Sequence, residues 1–131
     1  MAGEPTPPAG NVYEWYRRGL SLLDAGSPDA AAQLLERVAD AEPNAHSARE
    51  ALGRAQYDSG RYEEAARSFA VIVDENPVDD YARFGLGLAA TRNGDLDTAV
   101  EHLAVAVSLR PDRTHYRRAL RRARASRDGR V

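Results

Sequence analysis

A single repeat spacing recurs along most of this chain, and it restricts the fold more than any other feature of the sequence. Glycine, alanine and proline return at this spacing in four columns: Gly19, Gly53 and Gly87; Gly26, Gly60 and Gly94; Ala31, Ala65 and Ala99; and Pro43, Pro77 and Pro111. The three blocks 12–45, 46–79 and 80–113 align without insertion or deletion. Because a period of about 20 to 50 residues is typical of repeat architectures, the sequence predicts stacked copies of one small unit.

Each block carries the signals of two helices joined by a turn. We expect first helices over 12–25, 46–59 and 80–93, and second helices over 28–41, 62–75 and 96–109. A glycine follows each first helix, where it can adopt the left-handed backbone that ends helices. A proline follows each second helix and has no amide hydrogen to continue it. The side chains of Ser27 and Asp95 are expected to cap the second helices of blocks one and three.

One glycine in each block lies inside the first helix, where it costs about 1 kcal/mol relative to alanine. In block one this residue is Gly19, and the matching alanine of the second helix is Ala31. We expect the missing side chain to let the two helices approach closely at that alanine. The same pair recurs in the other two blocks.

The recurring residues resemble the signature of the tetratricopeptide repeat over residues 12–113. The matching positions are Trp15, Gly19, Ala31 and Pro43 in block one; Leu52, Gly53, Ala65, Phe69 and Pro77 in block two; and Leu86, Gly87, Ala99, Ala106 and Pro111 in block three. Arginine replaces the signature tryptophan at Arg49 and Arg83, so looser packing is expected there. The resemblance implies an all-α fold, a TPR-type α-solenoid of three helix-turn-helix repeats.

The C-terminal segment is predicted to close the end of the stack, since a repeat array needs a capping element with a polar outer face. Tyr116, Leu120 and Ala123, together with Ala119, form one apolar stripe of a helix over 113–127. The chain is therefore divided into a proline-rich arm over 1–11 that is expected to be disordered, three repeats, and an arginine-rich seventh, capping helix and tail over 114–131.

The resemblance also implies a binding surface, because the first helices of such repeats line a concave groove with positions 2, 5, 9 and 12. The candidate residues at or beside those positions are Tyr13, Tyr16, Leu20, Glu50, Arg54, Tyr57, Tyr81, Phe84, Leu88 and Arg92. Aromatic side chains dominate binding hot spots, so we expect a peptide or helix of a partner protein to bury apolar side chains between the first helices of blocks one and three. The alternatives are that the rings only pack between helices, or that the N-terminal arm covers them.

One subfamily of tetratricopeptide domains holds the C-terminal carboxylate of a chaperone with lysine, asparagine and arginine side chains. The matching positions in this chain are Tyr16, Leu20, Ala51, Tyr81 and Gly85. None of these residues can donate the charged hydrogen bonds that such a carboxylate needs. A chaperone C-terminal carboxylate is therefore not the expected partner.

The charge of the chain is divided unevenly. Residues 1–109 hold nine arginines against eighteen acidic residues, whereas residues 110–131 hold nine arginines against two acidic residues. The arginines of the last predicted helix are a candidate anion or nucleic-acid surface, formed by Arg117, Arg118, Arg121, Arg122 and Arg124. Three interpretations stay open: a solvated cap that offsets the acidic body, an acidic protein partner, or nucleic acid. A membrane surface is disfavoured because the apolar stripe is mostly alanine.

No catalytic, cofactor or metal site is predicted. The chain has no cysteine, and its histidines, His46, His102 and His115, lie in three different predicted helices. No apolar run approaches the length of about 20 residues that crosses a bilayer, and no signal peptide is recognised at the N terminus. We expect a cytoplasmic adaptor that is not an enzyme and is a monomer or homodimer. The alternatives are a nucleic-acid accessory protein and a homo-oligomeric scaffold in which the basic tail of one molecule docks on the acidic body of another.

Overall fold

A computed structural model describes residues 10–129, which form seven α-helices and contain no strand. The helices are α1 (Val12–Asp24), α2 (Pro28–Ala41), α3 (His46–Asp58), α4 (Tyr62–Glu75), α5 (Asp80–Arg92), α6 (Leu96–Leu109) and α7 (Thr114–Arg127). The all-α solenoid of three helical hairpins and a seventh capping helix is thereby confirmed. The expected disordered arm falls largely on residues 1–9, which lie outside the described residues.

The helices stack in two layers. Each helix packs against the next one in the chain, and α1 also contacts α3, α3 contacts α5, and α5 contacts α7. The odd-numbered helices therefore form one continuous layer, and α2, α4 and α6 form the other. Since α7 begins at Thr114, one full repeat after the start of α5 at Asp80, it holds the place of the first helix of a fourth repeat.

The turns within the repeats have the expected backbone conformation. Gly26, Gly60 and Gly94 all adopt a positive φ, between 78° and 80°. This left-handed conformation ends the first helix and leads into the second a few residues later. The three second helices have the predicted bounds, and the first helices end one residue earlier than predicted.

The side-chain caps expected at Ser27 and Asp95 are wrong. Neither side chain accepts a capping hydrogen bond, because the preceding glycine turn leaves these residues at ψ 65° and 75° rather than in extended backbone. Asn11 and Asp79 do have extended backbone, and their side chains accept from the amides of Glu14 and Ala82 at 2.9 and 3.0 Å.

At Gly87 the predicted alanine takes part in the close approach: the carbonyl oxygen of Ala99 would lie 3.3 Å from an added Cβ, although the Leu103 side chain is nearer, at 2.5 Å. At Gly19 and Gly53 the nearest partner is a different residue from the predicted alanine. A Cβ added to Gly19 would lie 2.7 Å from the Leu35 side chain, and one added to Gly53 would lie 2.9 Å from the Phe69 ring. The large apolar residue of the second helix fills the space, because its side chain reaches across the gap that the short alanine side chain leaves. The glycines therefore seat Leu35 and Phe69 in the core, where both are buried.

Candidate functional site

The candidate site is built around a row of rings on the first-helix layer. The centroid of Phe84 on α5 lies 4.6 Å from that of Tyr116, with the two planes 27° apart, and 5.2 Å from the ring of His115 in an edge contact. Tyr81, one turn earlier on α5, lies 6.4 Å from Phe84 and 6.2 Å from Phe69. The row therefore runs from α4 through α5 to α7.

Two glycines allow the row to form. Phe69 is buried, and a Cβ on either Gly53 of α3 or Gly85 of α5 would lie less than 3.0 Å from its ring. The Phe69 ring therefore lies between α3 and α5, where it is a neighbour of the Tyr81 ring. Tyr81 and Phe84 are both half-buried.

A hydrogen bond fixes α7 against α5. The hydroxyl of Tyr116 donates to the Asp80 carboxylate at 2.6 Å, and the Tyr116 side chain is buried. Burial raises the pKa of the Tyr116 hydroxyl above its ordinary value, and the hydrogen bond to the Asp80 carboxylate raises it further. The hydroxyl therefore stays protonated as a donor at neutral pH.

Three adjoining cavities open along these rings, and together they are the groove discussed below. The aromatic cavity, about 300 Å³, lies between α3 and α5 and is lined by Arg54, Tyr57, Asp58, Phe69, Tyr81, Phe84, Gly85 and Leu88. The basic cavity, about 300 Å³, lies between α5 and α7 and is lined by Tyr57, Phe84, Leu88, Thr91, Arg92, His115, Arg118, Ala119 and Arg122. The mixed cavity, about 470 Å³, lies where α5 and α7 begin and is lined by Glu50, Asp80, Tyr81, Phe84, Arg110, Arg113, His115 and Tyr116.

Seven of the predicted site residues come together in this groove. They are Glu50, Arg54, Tyr57, Tyr81, Phe84, Leu88 and Arg92. Burial raises the pKa of Tyr81; Arg54 opposes this shift and Glu50 adds to it. Burial also raises the pKa of Glu50. The charges of Arg54 and Glu50 therefore act directly on the Tyr81 hydroxyl.

The three predicted residues of α1 do not line these cavities. Tyr16 and Leu20 pack against the apolar core of the first repeat, and Tyr13 is 65% exposed to solvent. In the described chain α1 and α5 do not contact each other, because α3 lies between them. The cavities described above lie between α3, α5 and α7, so the insertion of a ligand side chain between the first helices of blocks one and three stays a prediction.

Sequence reasoning missed the part of the groove that α7 supplies. His115, Arg118 and Arg122 each follow Tyr81, Phe84 and Leu88 by one repeat, so the block register already assigned them to the concave positions. This one-repeat offset was overlooked because α7 was predicted only to cap the stack. Of the five arginines predicted to form a separate anion surface, Arg118 and Arg122 line the groove, whereas Arg117, Arg121 and Arg124 are not among its lining residues.

Arg92 has a fixed position at the edge of the basic cavity. Its guanidinium carbon lies 4.4 Å from the centroid of the Tyr62 ring, a cation–π contact. Tyr62 in turn makes an edge contact with Tyr57, at 5.2 Å between centroids. The charge is therefore held beside the aromatic floor.

Other kinds of site are not evident among residues 10–129. No cluster of three or more His, Asp or Glu side chains in that range is placed to hold a metal ion. None of the seven helices is long and apolar enough to cross a membrane.

Stacked helical hairpins with a groove along one layer define a helical-repeat protein. A family model described as the tetratricopeptide repeat matches residues 16–80 and again 50–114, which together make up most of the chain. The chain therefore belongs to the tetratricopeptide repeat family. No curated protein matches the sequence.

Several solved structures share the fold. MamA from Desulfovibrio magneticus RS-1, residues 41 to the end, has a TM-score of 0.86 at 24% identity, over 92% of this chain and 68% of its own. MamA of MSR-1 has a TM-score of 0.81 at 26% identity, over 93% and 70%. YrrB, described as a TPR protein with an unusual peptide-binding site, has a TM-score of 0.79 at 24% identity, over 84% and 57%. At such identities the first and third of these show the fold alone.

Proposed function

We propose that this chain is a non-catalytic adaptor that binds a peptide or helix of a partner protein in the groove between α3, α5 and α7. The observation that carries the proposal is that Phe84 borders all three cavities while its ring is already held by Tyr116 and His115. A ring fixed in advance loses little entropy when a ligand covers it. Membership of a family of interaction modules supports the same function.

The dimensions of the groove favour a polypeptide ligand. Cavities of about 300 to 470 Å³ lie at the small end of the range for ligand pockets, and three of them adjoin along one ridge of rings. Such a row accepts successive side chains of one segment better than one compact molecule. YrrB, the relative described as having a peptide-binding site, is consistent with this use of the fold.

The alternative is that the rings of Tyr81 and Phe84 only pack between helices and bind no ligand. They do serve packing, since Phe84 stacks on Tyr116 and Tyr81 contacts Phe69. Replacing either ring would therefore mix a loss of binding with a loss of stability. Leu88 is a better residue to change, because it borders the aromatic and basic cavities and lies outside the buried core.

The test is affinity purification of partners from cells that naturally express this chain, followed by mass spectrometry. Leu88→Glu is expected to abolish specific capture, because it puts a charge on the apolar floor. Val78→Glu is the matched control: Val78 is 67% exposed, lies in the turn before α5 and is outside the groove lining. Partners that bind Leu88→Glu as well as they bind the control would show that the groove is not the site.

A further inference from the structure

The charges that line the groove are segregated along its length. The mixed cavity has acidic and basic residues, Glu50 and Asp80 with Arg110 and Arg113. The basic cavity has three arginines, Arg92, Arg118 and Arg122, and no acidic residue. Arg118 and Arg122 belong to the basic segment 110–131, whereas the segment 1–109 has twice as many acidic residues as arginines. One end of the groove is therefore a local basic site on an acidic body.

The three arginines of the basic cavity have no acidic partner within residues 10–129. The arginine ion pairs of that range lie elsewhere: Arg61 with Glu36 and Glu64, Arg110 with Asp112, and Arg127 with Asp128. Arg92 instead stacks over Tyr62. Guanidinium groups that converge on a cavity without an internal counterion form a preformed receptor for carboxylates.

The spacing of the arginines fits more than one carboxylate of a single ligand. Arg118 and Arg122 are one turn apart on α7, so their Cβ atoms are about 6 Å from each other. Arg92 approaches the same cavity from α5, on the opposite wall. Acidic side chains one turn apart on a helix, or two residues apart on an extended segment, have a similar spacing.

The floor between the arginines is apolar. Phe84, Leu88 and Ala119 line it, and each of these side chains is half-buried. A ligand that pairs only through charge would leave this floor in contact with water. The site is therefore matched to a segment that combines acidic residues with at least one apolar side chain.

The same floor is poorly suited to nucleic acid. Nucleobases bind by stacking on open ring faces, and Phe84 already has three ring neighbours, Tyr81, His115 and Tyr116, with centroids within 6.4 Å. The arginines outside the groove could contact phosphates, but no aromatic platform accompanies them in the described chain. An acidic polypeptide is therefore favoured over RNA.

We propose that the basic cavity binds an acidic segment of the partner protein, with Asp or Glu side chains paired to Arg118, Arg122 and Arg92 and an apolar side chain resting on Phe84 and Leu88. The inference rests on the proposed peptide-binding function and specifies the ligand of that site. Recognition is by side-chain carboxylates, so the segment does not need a free C terminus.

The test is selection of a displayed library of random 12-residue peptides on the intact chain, followed by affinity measurements on the selected peptides synthesised with amidated C termini. We expect enrichment of peptides with at least two acidic residues beside an apolar one. Arg118→Glu with Arg122→Glu should weaken their binding at least tenfold, because attraction becomes repulsion. Arg121→Glu with Arg124→Glu is the matched control, with the same charge change on the same helix outside the groove lining. Arg118→Gln with Arg122→Gln is a milder pair if the charge reversal affects folding.

The outcomes separate this inference from the proposed function. Selected peptides that lose binding to Leu88→Glu but are neutral or basic, or that bind the groove pair and the control pair equally, would overturn the acidic assignment and keep the groove. Selected peptides that are indifferent to Leu88→Glu, or no enriched peptide at all, would overturn both.

Nucleic acid is tested with a 20-nucleotide uridine RNA in a filter-binding assay at two salt concentrations. Phosphate binding weakens steeply as salt rises. RNA that binds more tightly than the selected peptides at physiological salt, and is lost in the groove pair but not in the control pair, would assign the basic cavity to nucleic acid instead. Absence of retention at low salt is the expected result.

Discussion

At the scale of single residues, Phe69 sets the distance between three helices. It belongs to α4, and its ring enters the gap that Gly53 of α3 and Gly85 of α5 leave open. A Cβ on Gly85 would lie 2.7 Å from three atoms of this ring, closer than van der Waals contact allows. The floor of the aromatic cavity therefore depends on a glycine that the repeat signature does not include.

Gly85→Ala is expected to lower the free energy of unfolding, although alanine is favoured over glycine in a helix by about 1 kcal/mol. The added methyl group overpacks a buried ring, which typically costs about 1–3 kcal/mol. Urea denaturation measures the net change.

Gly85→Ala combined with Phe69→Leu is the control, because the smaller side chain makes room for the methyl group. The double variant should show a favourable coupling between the two sites. Additive effects of the two substitutions would mean that the ring does not limit the approach of α5.

At the scale of the elements, the bond between Tyr116 and Asp80 joins α7 to α5. It connects residues 36 positions apart at a distance of 2.6 Å and closes the end of the mixed cavity. The position of α7 determines whether His115, Arg118 and Arg122 reach the groove. This single contact therefore links the docking of the last helix to the shape of the site.

Tyr116→Phe is expected to lower the free energy of unfolding by about 1–2 kcal/mol, because the Asp80 carboxylate loses a donor. The pKa of the Tyr116 hydroxyl is raised in the folded chain, so its stabilising contribution is complete below about pH 10 and is lost as the pH rises further. The variant should therefore lose less stability than the wild type as the pH rises above about 10, the ordinary pKa of tyrosine. Chemical denaturation at several pH values measures this difference, and Tyr13→Phe, at a side chain that is 65% exposed, should match the wild type.

The sequence predicted the helices and their bounds to within one residue, but it did not predict which residues cap them. Leu35, Phe69 and the prolines located the second helices because periodic burial and a missing amide both act locally. The capping bonds of Asn11 and Asp79 were missed because they depend on ψ, which the neighbouring turn sets. Spacing along the chain does not encode that angle.

The site was predicted in part for a similar reason. Tyr81, Phe84 and Leu88 follow from the repeat positions that the family resemblance implies for a groove, and they line the cavities. Tyr16 and Leu20 occupy the same positions in block one and are half-buried against its core, but they do not line these cavities, which lie between α3, α5 and α7. Whether a residue lines a cavity therefore depends on the helices beside it as well as on its position in the repeat.

At the scale of the whole molecule, each repeat contacts only its neighbours, so the last helix protects the rest of the stack. Leu120 and Ala123 of α7 are buried in one cluster with Val100 and Leu103 of α6. Removing residues 114–131 is expected to expose this apolar surface, lower the unfolding temperature and cause aggregation. Sedimentation velocity and thermal unfolding measure both effects.

A point variant gives the same test without shortening the chain. Leu120→Asp places a charge in the buried cluster, whereas Arg121→Asp places one at the adjacent exposed position. Only the first should destabilise the fold and promote association. A truncated chain that stays monomeric and equally stable would show that α7 is not a cap.

In the part of the chain that the structure describes, α7 is the last helix of the stack, and this has a consequence for recognition. Among the described residues α7 contacts only α5 and α6, and it also forms a wall of the groove. A helix at the end of such an array opens more readily than the helices inside it. If α7 separated from the stack, the basic cavity would be lost. A ligand bound to Arg118 and Arg122 would therefore stabilise the packed position of α7. Ligand affinity and amide hydrogen-exchange protection of the last helix are then two measures of one linked equilibrium.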